Sequence, residues 1–182
     1  MTIEPDTKDW TWVLQRPCPE CGLDTQSFGR DQIGAMVRAN AASWHRLLTA
    51  PGDPRRRPSP AKWSPLEYAC HVRDVMALYE ERLTLMLTED GPRFANWDQD
   101  ATAVEDNYAA QDPAVVAAEL TAAADVIAAH FETVAGEQWQ RTGSRSDGAD
   151  FTIETFARYF VHDPIHHLHD VSGVRGGADA AP

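Results

Sequence analysis

Residues 64–88, SPLEYACHVRDVMALYEERLTLMLT, decide the fold class. Ser64 offers an N-cap hydroxyl. Pro65 takes the first helical position, where its missing N–H is not needed, and Glu67 stands at N3, the carboxylate position of a capping box. Behind this start Leu66, Cys70, Val75, Met76, Tyr79, Leu83 and Met86 supply an apolar face, so the segment predicts a helix to about Thr88 that other helices must cover.

Three further segments carry the same periodicity. Residues 30–50 place Ile33, Val37, Trp44 and Leu48 on one stripe, which Ala50, Pro51 and Gly52 end. Asp112 and Pro113 repeat the cap-then-proline signature before Val116, Leu120, Ala123, Ile127, Phe131 and Val134. Thr152 is the expected cap of FTIETFARYFVHDPIHHLHDV, residues 151–171, which Gly173 stops and Pro164 should kink. Four helices of roughly 20 residues, each about 30 Å long, predict an all-α four-helix bundle with long crossover connections. Between them, GDPRRRPSPAK (52–62) reads as a solvated linker, its arginines included, and residues 93–108 as loop plus a short helix. The expected division is an N-terminal extension with a CxxC turn (1–25), the bundle (26–172) and a disordered tail (173–182).

The chain has 182 residues, 43% of them apolar and 24% charged, which suits one globular domain. Its 28 Asp and Glu against 16 Lys and Arg give a net charge of -12, a field that repels phosphate backbones and anionic lipid headgroups. The expected partner is therefore a small-molecule substrate, neither nucleic acid nor membrane, with a homodimer left open. The start shows no basic region followed by an apolar stretch, and no run approaches roughly 18 uninterrupted apolar residues. Three cysteines are too few for a disulfide framework, and a reduced, cytoplasmic location is expected.

Four of the seven histidines fall between positions 162 and 169. Four residues along a helix advance about 6 Å and rotate only about 40° past a full turn, so His162 and His166 share a face and can share a metal ion. A catalytic zinc site takes at least three protein ligands, so another helix must contribute. His71, in the first turns of the second helix, is the leading candidate over His45 and His130. Spacing also leaves a His166–His169 pair open. His167 is rotated about 100° from His166 and should point elsewhere, with Asp163 four residues before it as a hydrogen-bond partner. Asp170 and Glu67 lie where a carboxylate orients an imidazole, although Glu67 is better explained by its capping box. Tyr159, one turn before His162, is either a proton donor or a packing residue.

The first-helix stripe, WSPLEYACHVRDV and YFVHDPIHHLHDV together resemble the DinB-like superfamily of four-helix-bundle metalloproteins over about Gln26 to Val171. The resemblance implies helices in an unusual order and a divalent metal held by His71, His162 and His166. Many members follow the paired histidine with Arg-Gly-Gln, whereas Leu168, His169 and Asp170 stand here. That ending is similar to the branch containing mycothiol-dependent maleylpyruvate isomerase. It implies a low-molecular-weight thiol such as mycothiol as cosubstrate.

The CxxC, Cys18-Pro19-Glu20-Cys21, reads as a compact turn. Two thiols are half of a structural zinc site, no second CxxC completes it, and Cys70 turns about 100° away from His71. Trp10, Trp12, Trp63, Trp97 and Trp139 lie outside the helix stripes and read as pocket lining or covers of the bundle ends. The expected function is activation of a thiol or water by a divalent ion for S-transfer, isomerisation or hydrolysis of a small electrophile. Zinc leads, with nickel, iron and manganese compatible with the same ligands. The rival readings are a non-catalytic metal-binding, stress-associated protein and a redox or partner-binding module centred on Cys18 and Cys21.

Overall fold

In the computed structural model, Ile3 and residues 9–175 are described. Of the expected disordered tail, residues 176–182 lie outside the described residues, while Gly173 closes the last helix at φ 72° and Arg175 Nη2 donates to the Pro19 carbonyl at 2.9 Å.

The four expected helices are present as α1 (Ile33–Thr49), α2 (Pro65–Thr88), α4 (Pro113–Thr133) and α5 (Ile153–Ser172), with a short α3 (Gln99–Glu105) before α4. Their starts are the ones written in the caps. The Ser64 hydroxyl accepts from Glu67 N–H at 3.2 Å while the Glu67 carboxylate accepts from Ser64 N–H at 2.8 Å. Asp112 accepts from the amides of Ala114 and Val115, and Thr152 from that of Thr155.

Packing order differs from chain order. α4 lies against both α1 and α2, and α5 closes the ring against α1 and α2 on the other side, so consecutive helices α1 and α2 sit mostly across the bundle from each other. Long connections follow from that order, because each must cross the end of the bundle. The core filling the ring includes Trp44, Leu66, Met76, Leu83, Leu120, Ile127 and Phe160, all essentially inaccessible. By length and composition α4 could cross a membrane, with a window hydropathy of 1.5. Its apolar run is interrupted by Glu119 and Asp125, paired with Arg73 and Arg38 of the neighbouring helices. α5 continues as helix through Pro164, whose carbonyl accepts from Asn40 Nδ2 at 3.0 Å and Trp44 Nε1 at 3.4 Å.

The expected four-helix bundle is borne out, but not every element of the chain is helical: β1 (Arg93–Phe94) pairs in parallel with β2 (Thr142–Arg145), which pairs antiparallel with β3 (Asp150–Thr152). At Gly143 on β2 a Cβ would sit 2.6 Å from Phe94 Cζ and 2.9 Å from Met86 Cγ, so only glycine lets this small sheet rest on α2. The linker is not simply solvated either. Arg57 forks onto the buried Glu67 carboxylate, and Arg55 Nη2 donates to the Gln111 carbonyl at 2.9 Å, which ties the crossover to the start of α2 and to the chain before α4.

The N-terminal extension also belongs to the packed structure. Val13, Cys18, Cys21 and Leu23 are buried, Thr25 Oγ1 donates to the Val13 carbonyl at 2.6 Å, and Arg158 Nη1 of α5 donates to the Phe28 carbonyl at 2.9 Å. This segment therefore lies along α5, on the helix that carries the histidine cluster.

Candidate metal centres

α5 presents two i,i+4 pairs side by side, His162 with His166 and Asp163 with His167. Successive helical residues differ by about 100°, so the two pairs face different neighbours. Among the described residues, the donor atoms of Asp163 and His167 gather with those of His71 on α2. Those of His162 and His166 gather with Cys18 and Cys21. Within each group every donor atom lies within 4.8 Å of the others. Of the three histidines expected to converge, His162 and His166 are together, with ring centroids 5.0 Å apart, and His71 stands in the neighbouring group. His167, expected to point elsewhere, packs edge-on against His71 with centroids 4.9 Å apart.

In the first group, His71 Nε2 lies 3.5 Å and His167 Nε2 3.9 Å from Asp163 Oδ1. Both ring nitrogens of His71 and Oδ1 of Asp163 are buried without a hydrogen-bond partner among the described residues. Unsatisfied buried polar atoms cost about 1–3 kcal/mol each, and His71 Nε2 and Asp163 Oδ1, unpartnered and facing each other, indicate a group that would bind between them. Two ligands each about 2.0–2.2 Å from one ion stand roughly 3–4 Å apart, the separations seen here. The residues therefore fit a divalent cation with a two-histidine, one-carboxylate donor set.

The surroundings prepare this donor set. His167 Nδ1 donates to Asp170 Oδ2 at 3.1 Å, which turns Nε2 of the same ring towards Asp163. Trp97 stacks on His71 at 5.5 Å and Trp63 packs against it at 5.6 Å, fixing the ring and excluding solvent. Burial pushes the Asp163 carboxyl up, but its interactions with His167 and His71 outweigh it and hold the group well below the usual carboxylate range. Asp163 is thus an anion at neutral pH.

In the second group, Cys18 Sγ lies 3.6 Å from His166 Nδ1, all four residues are buried, and both thiols are free. Burial, with a smaller contribution from His166, lowers the His162 pKa to about 4, and burial likewise lowers that of His166. Both imidazoles are accordingly neutral at pH 7. Burial pushes the Cys21 thiol up to about 12. The far nitrogen of His166, Nε2, faces Glu20 Oε2 at 3.7 Å and Asp170 Oδ1 at 3.8 Å. Trp10 covers both histidine rings, at 5.5 Å from His162 and 4.8 Å from His166.

A cavity of about 660 Å³ opens beside the His71 group, with His71, Asp163 and His167 in its wall along with Trp63, Trp97 and Tyr159. Its volume suits a small organic molecule. Tyr159 OH accepts from Arg145 Nη1 at 2.9 Å, and burial raises the phenol above its ordinary pKa, so it holds its proton. Arg82, also in the wall, is buried over the Phe94 ring, donates to the Ala95 carbonyl, and forms no ion pair with a described residue.

The other candidates have structural duties. His45 is exposed; His130 Nδ1 is bound to Glu80 Oε1 at 2.7 Å; and His169 Nδ1 meets the Val174 carbonyl at 3.1 Å, at the end of α5. The sequence analysis paired Asp163 with His167 as hydrogen-bond partners and did not place them with His71, although their i,i+4 spacing is the same signal that singled out His162 and His166. Nor does spacing show that His162 and His166 gather with Cys18 and Cys21.

No curated protein matches the chain. Among solved structures, YfiT from Bacillus subtilis, described as a probable metal-dependent hydrolase with an unusual four-helix bundle topology, superposes with a TM-score of 0.73 at 17% identity. The match covers 87% of this chain and 91% of that one, and it shows the fold. The DinB superfamily sequence profile matches residues 35–171, from α1 to the end of α5. A helix order shared with that solved bundle and a family match over most of the chain agree, and the protein belongs to the DinB superfamily.

Proposed function

We propose that the protein is a metal-dependent enzyme whose centre is His71, Asp163 and His167. It activates water or a low-molecular-weight thiol such as mycothiol against a small electrophile in the adjoining cavity. The observation that carries this reading is the set of buried, unpartnered donor atoms on His71 and Asp163 in the wall of a cavity of about 660 Å³. The relative described as a probable metal-dependent hydrolase gives further support.

A divalent ion held there supplies Lewis-acid chemistry, bringing the pKa of water or a thiol towards neutrality. The chain does the rest. Asp170 fixes the tautomer of His167, Trp63 and Trp97 keep the His71 ring in place, and Tyr159 offers a phenolic proton to an oxygen of the substrate. Arg82 is one cation of the cavity wall available to an anionic substituent of that substrate. Zinc is the ion proposed, since two imidazoles and a carboxylate are the donor set of catalytic zinc sites with an open position. Free thiols on Cys18, Cys21 and Cys70 suit a reducing cytoplasm as the place of the reaction.

The test is elemental analysis and turnover of reduced protein with a panel of thiols and water against small electrophiles. The reading expects a divalent ion lost in His71→Ala, and turnover lost with it. Metal bound at this centre without turnover of any member of the panel favours the non-catalytic alternative. A wild-type protein that takes up no zinc, nickel or manganese at His71 overturns the reading.

A further inference from the structure

We propose that Cys18, Cys21, His162 and His166 form a second metal site, closed and structural, that holds one zinc ion and pins the N-terminal segment to α5. Two thiolates and two imidazoles complete the tetrahedral shell of a structural zinc ion, and the C-x2-C and H-x3-H spacings are those such sites use. Every donor atom lies within 4.8 Å of the others, so the ligands converge on a single ion and not on a cluster. All four residues are buried, and His162 Nε2 has no hydrogen-bond partner among the described residues. That orphaned nitrogen is the second, independent sign of a ligand, because a histidine 3% exposed otherwise leaves it unsatisfied.

The local chain is shaped for the purpose. Cys18 N–H donates to the Leu23 carbonyl and Gly22 N–H to the Cys18 carbonyl, each at 2.9 Å. Gly22, at φ 79°, takes the left-handed conformation that closes this turn and brings both sulfurs to α5. On binding, the two thiols lose their protons to solvent and the imidazoles donate lone pairs. A dication with two thiolates has no net charge, which makes burial affordable in free energy where a lone ion would not be. Glu20 and Asp170 face the outer nitrogen of His166, as outer carboxylates do around zinc-bound histidines.

The two centres divide the work by exposure. The cavity wall includes His162 and His166 but neither cysteine, so the sulfur side of the site is sealed, as in structural sites, while the His71 centre opens on the cavity. The zinc would hold Trp10 against both histidine rings at the rim and fix the rotation of α5, and thereby the aim of Asp163 and His167 on its adjacent face.

Cobalt substitution tests this separately from the function proposed above. The His71→Ala/Asp163→Ala protein, loaded with cobalt under reducing conditions, is expected to hold one ion showing thiolate-to-cobalt charge-transfer absorption. The Cys18→Ser/Cys21→Ser protein is expected to lose that band and that ion, to retain metal at His71, and to show faster amide exchange across residues 9–28. X-ray absorption of zinc in the His71→Ala/Asp163→Ala protein should record sulfur in the metal shell, and it decides the matter even if the serine variant does not fold. A His71→Ala/Asp163→Ala protein that binds no ion, or binds one without sulfur, overturns the proposal whatever the fate of the catalytic reading.

Discussion

His71 Nε2 lies 3.5 Å from Asp163 Oδ1, and neither atom has a hydrogen-bond partner among the described residues. The two side chains come from helices that close the bundle on one side, α2 and α5, so their approach reports the rotation of one helix against the other. Trp97 and Trp63, delivered by the long connections, hold His71 in that position.

In the proposed centre Asp170 would orient His167 without joining the donor set. Its carboxylate accepts the His167 Nδ1 proton at 3.1 Å. Asp170→Asn should weaken zinc binding at the His71 centre by about 10–100-fold with the helix content unchanged. Competitive zinc titration in the Cys18→Ser/Cys21→Ser background measures this, and equal affinity in the two proteins would show that the hydrogen bond orients nothing.

Ser64 caps α2, two turns before His71. Its hydroxyl is fully buried and accepts from Glu67 N–H. Ser64→Ala should cost about 1 kcal/mol, seen as a lower urea midpoint with an unchanged slope.

Acid should weaken the same helix start. Burial pushes the Glu67 carboxyl up, but Arg57 and the Ser64 amide and hydroxyl outweigh it and leave the pKa below its ordinary value. A depressed folded-state pKa contributes stability that is complete above the unfolded value, about 4.3, and is lost as the pH falls through the folded value. Glu67→Gln should therefore be less stable than wild type at neutral pH, with the gap narrowing below about pH 4. Urea unfolding of both proteins at several pH values checks it, and a gap that widens in acid contradicts the assignment.

Gly143 permits the contact between the sheet and α2. A Cβ there meets Phe94 and Met86 at 2.6 and 2.9 Å, so Gly143→Ala should destabilise by about 1–3 kcal/mol through overpacking. Thermal and urea unfolding measure the loss; a neutral result would mean that the Met86 side chain yields without cost.

Much of this architecture is local and was readable before any coordinates. Ser64-Pro65-Leu66-Glu67, Asp112-Pro113 and Thr152 start helices because a side-chain oxygen satisfies amides within the next three residues, and Gly173 ends one because it tolerates a left-handed backbone. The sheet was not readable, since Arg93–Phe94 is too short to show alternation and Thr142–Arg145 is polar and glycine-containing. The candidate sites were half readable. Spacing marked two i,i+4 pairs on α5, His162 with His166 and Asp163 with His167, and position in α2 named His71 as a metal-binding candidate, but neither had any means of matching partners to pairs.

By itself the sequence determined which segments are helical, where they begin and end, and that imidazole, carboxylate and thiol donors are available at i,i+4 and C-x2-C spacings. Tertiary structure alone decided that His71 faces Asp163 and His167 while Cys18 and Cys21 face His162 and His166. The physical reason is angular. Adjacent residues on a helix point about 100° apart, so which of two neighbouring pairs meets a given partner depends on how the whole helix is turned in its packing, and that is a sum over distant contacts that no local spacing contains.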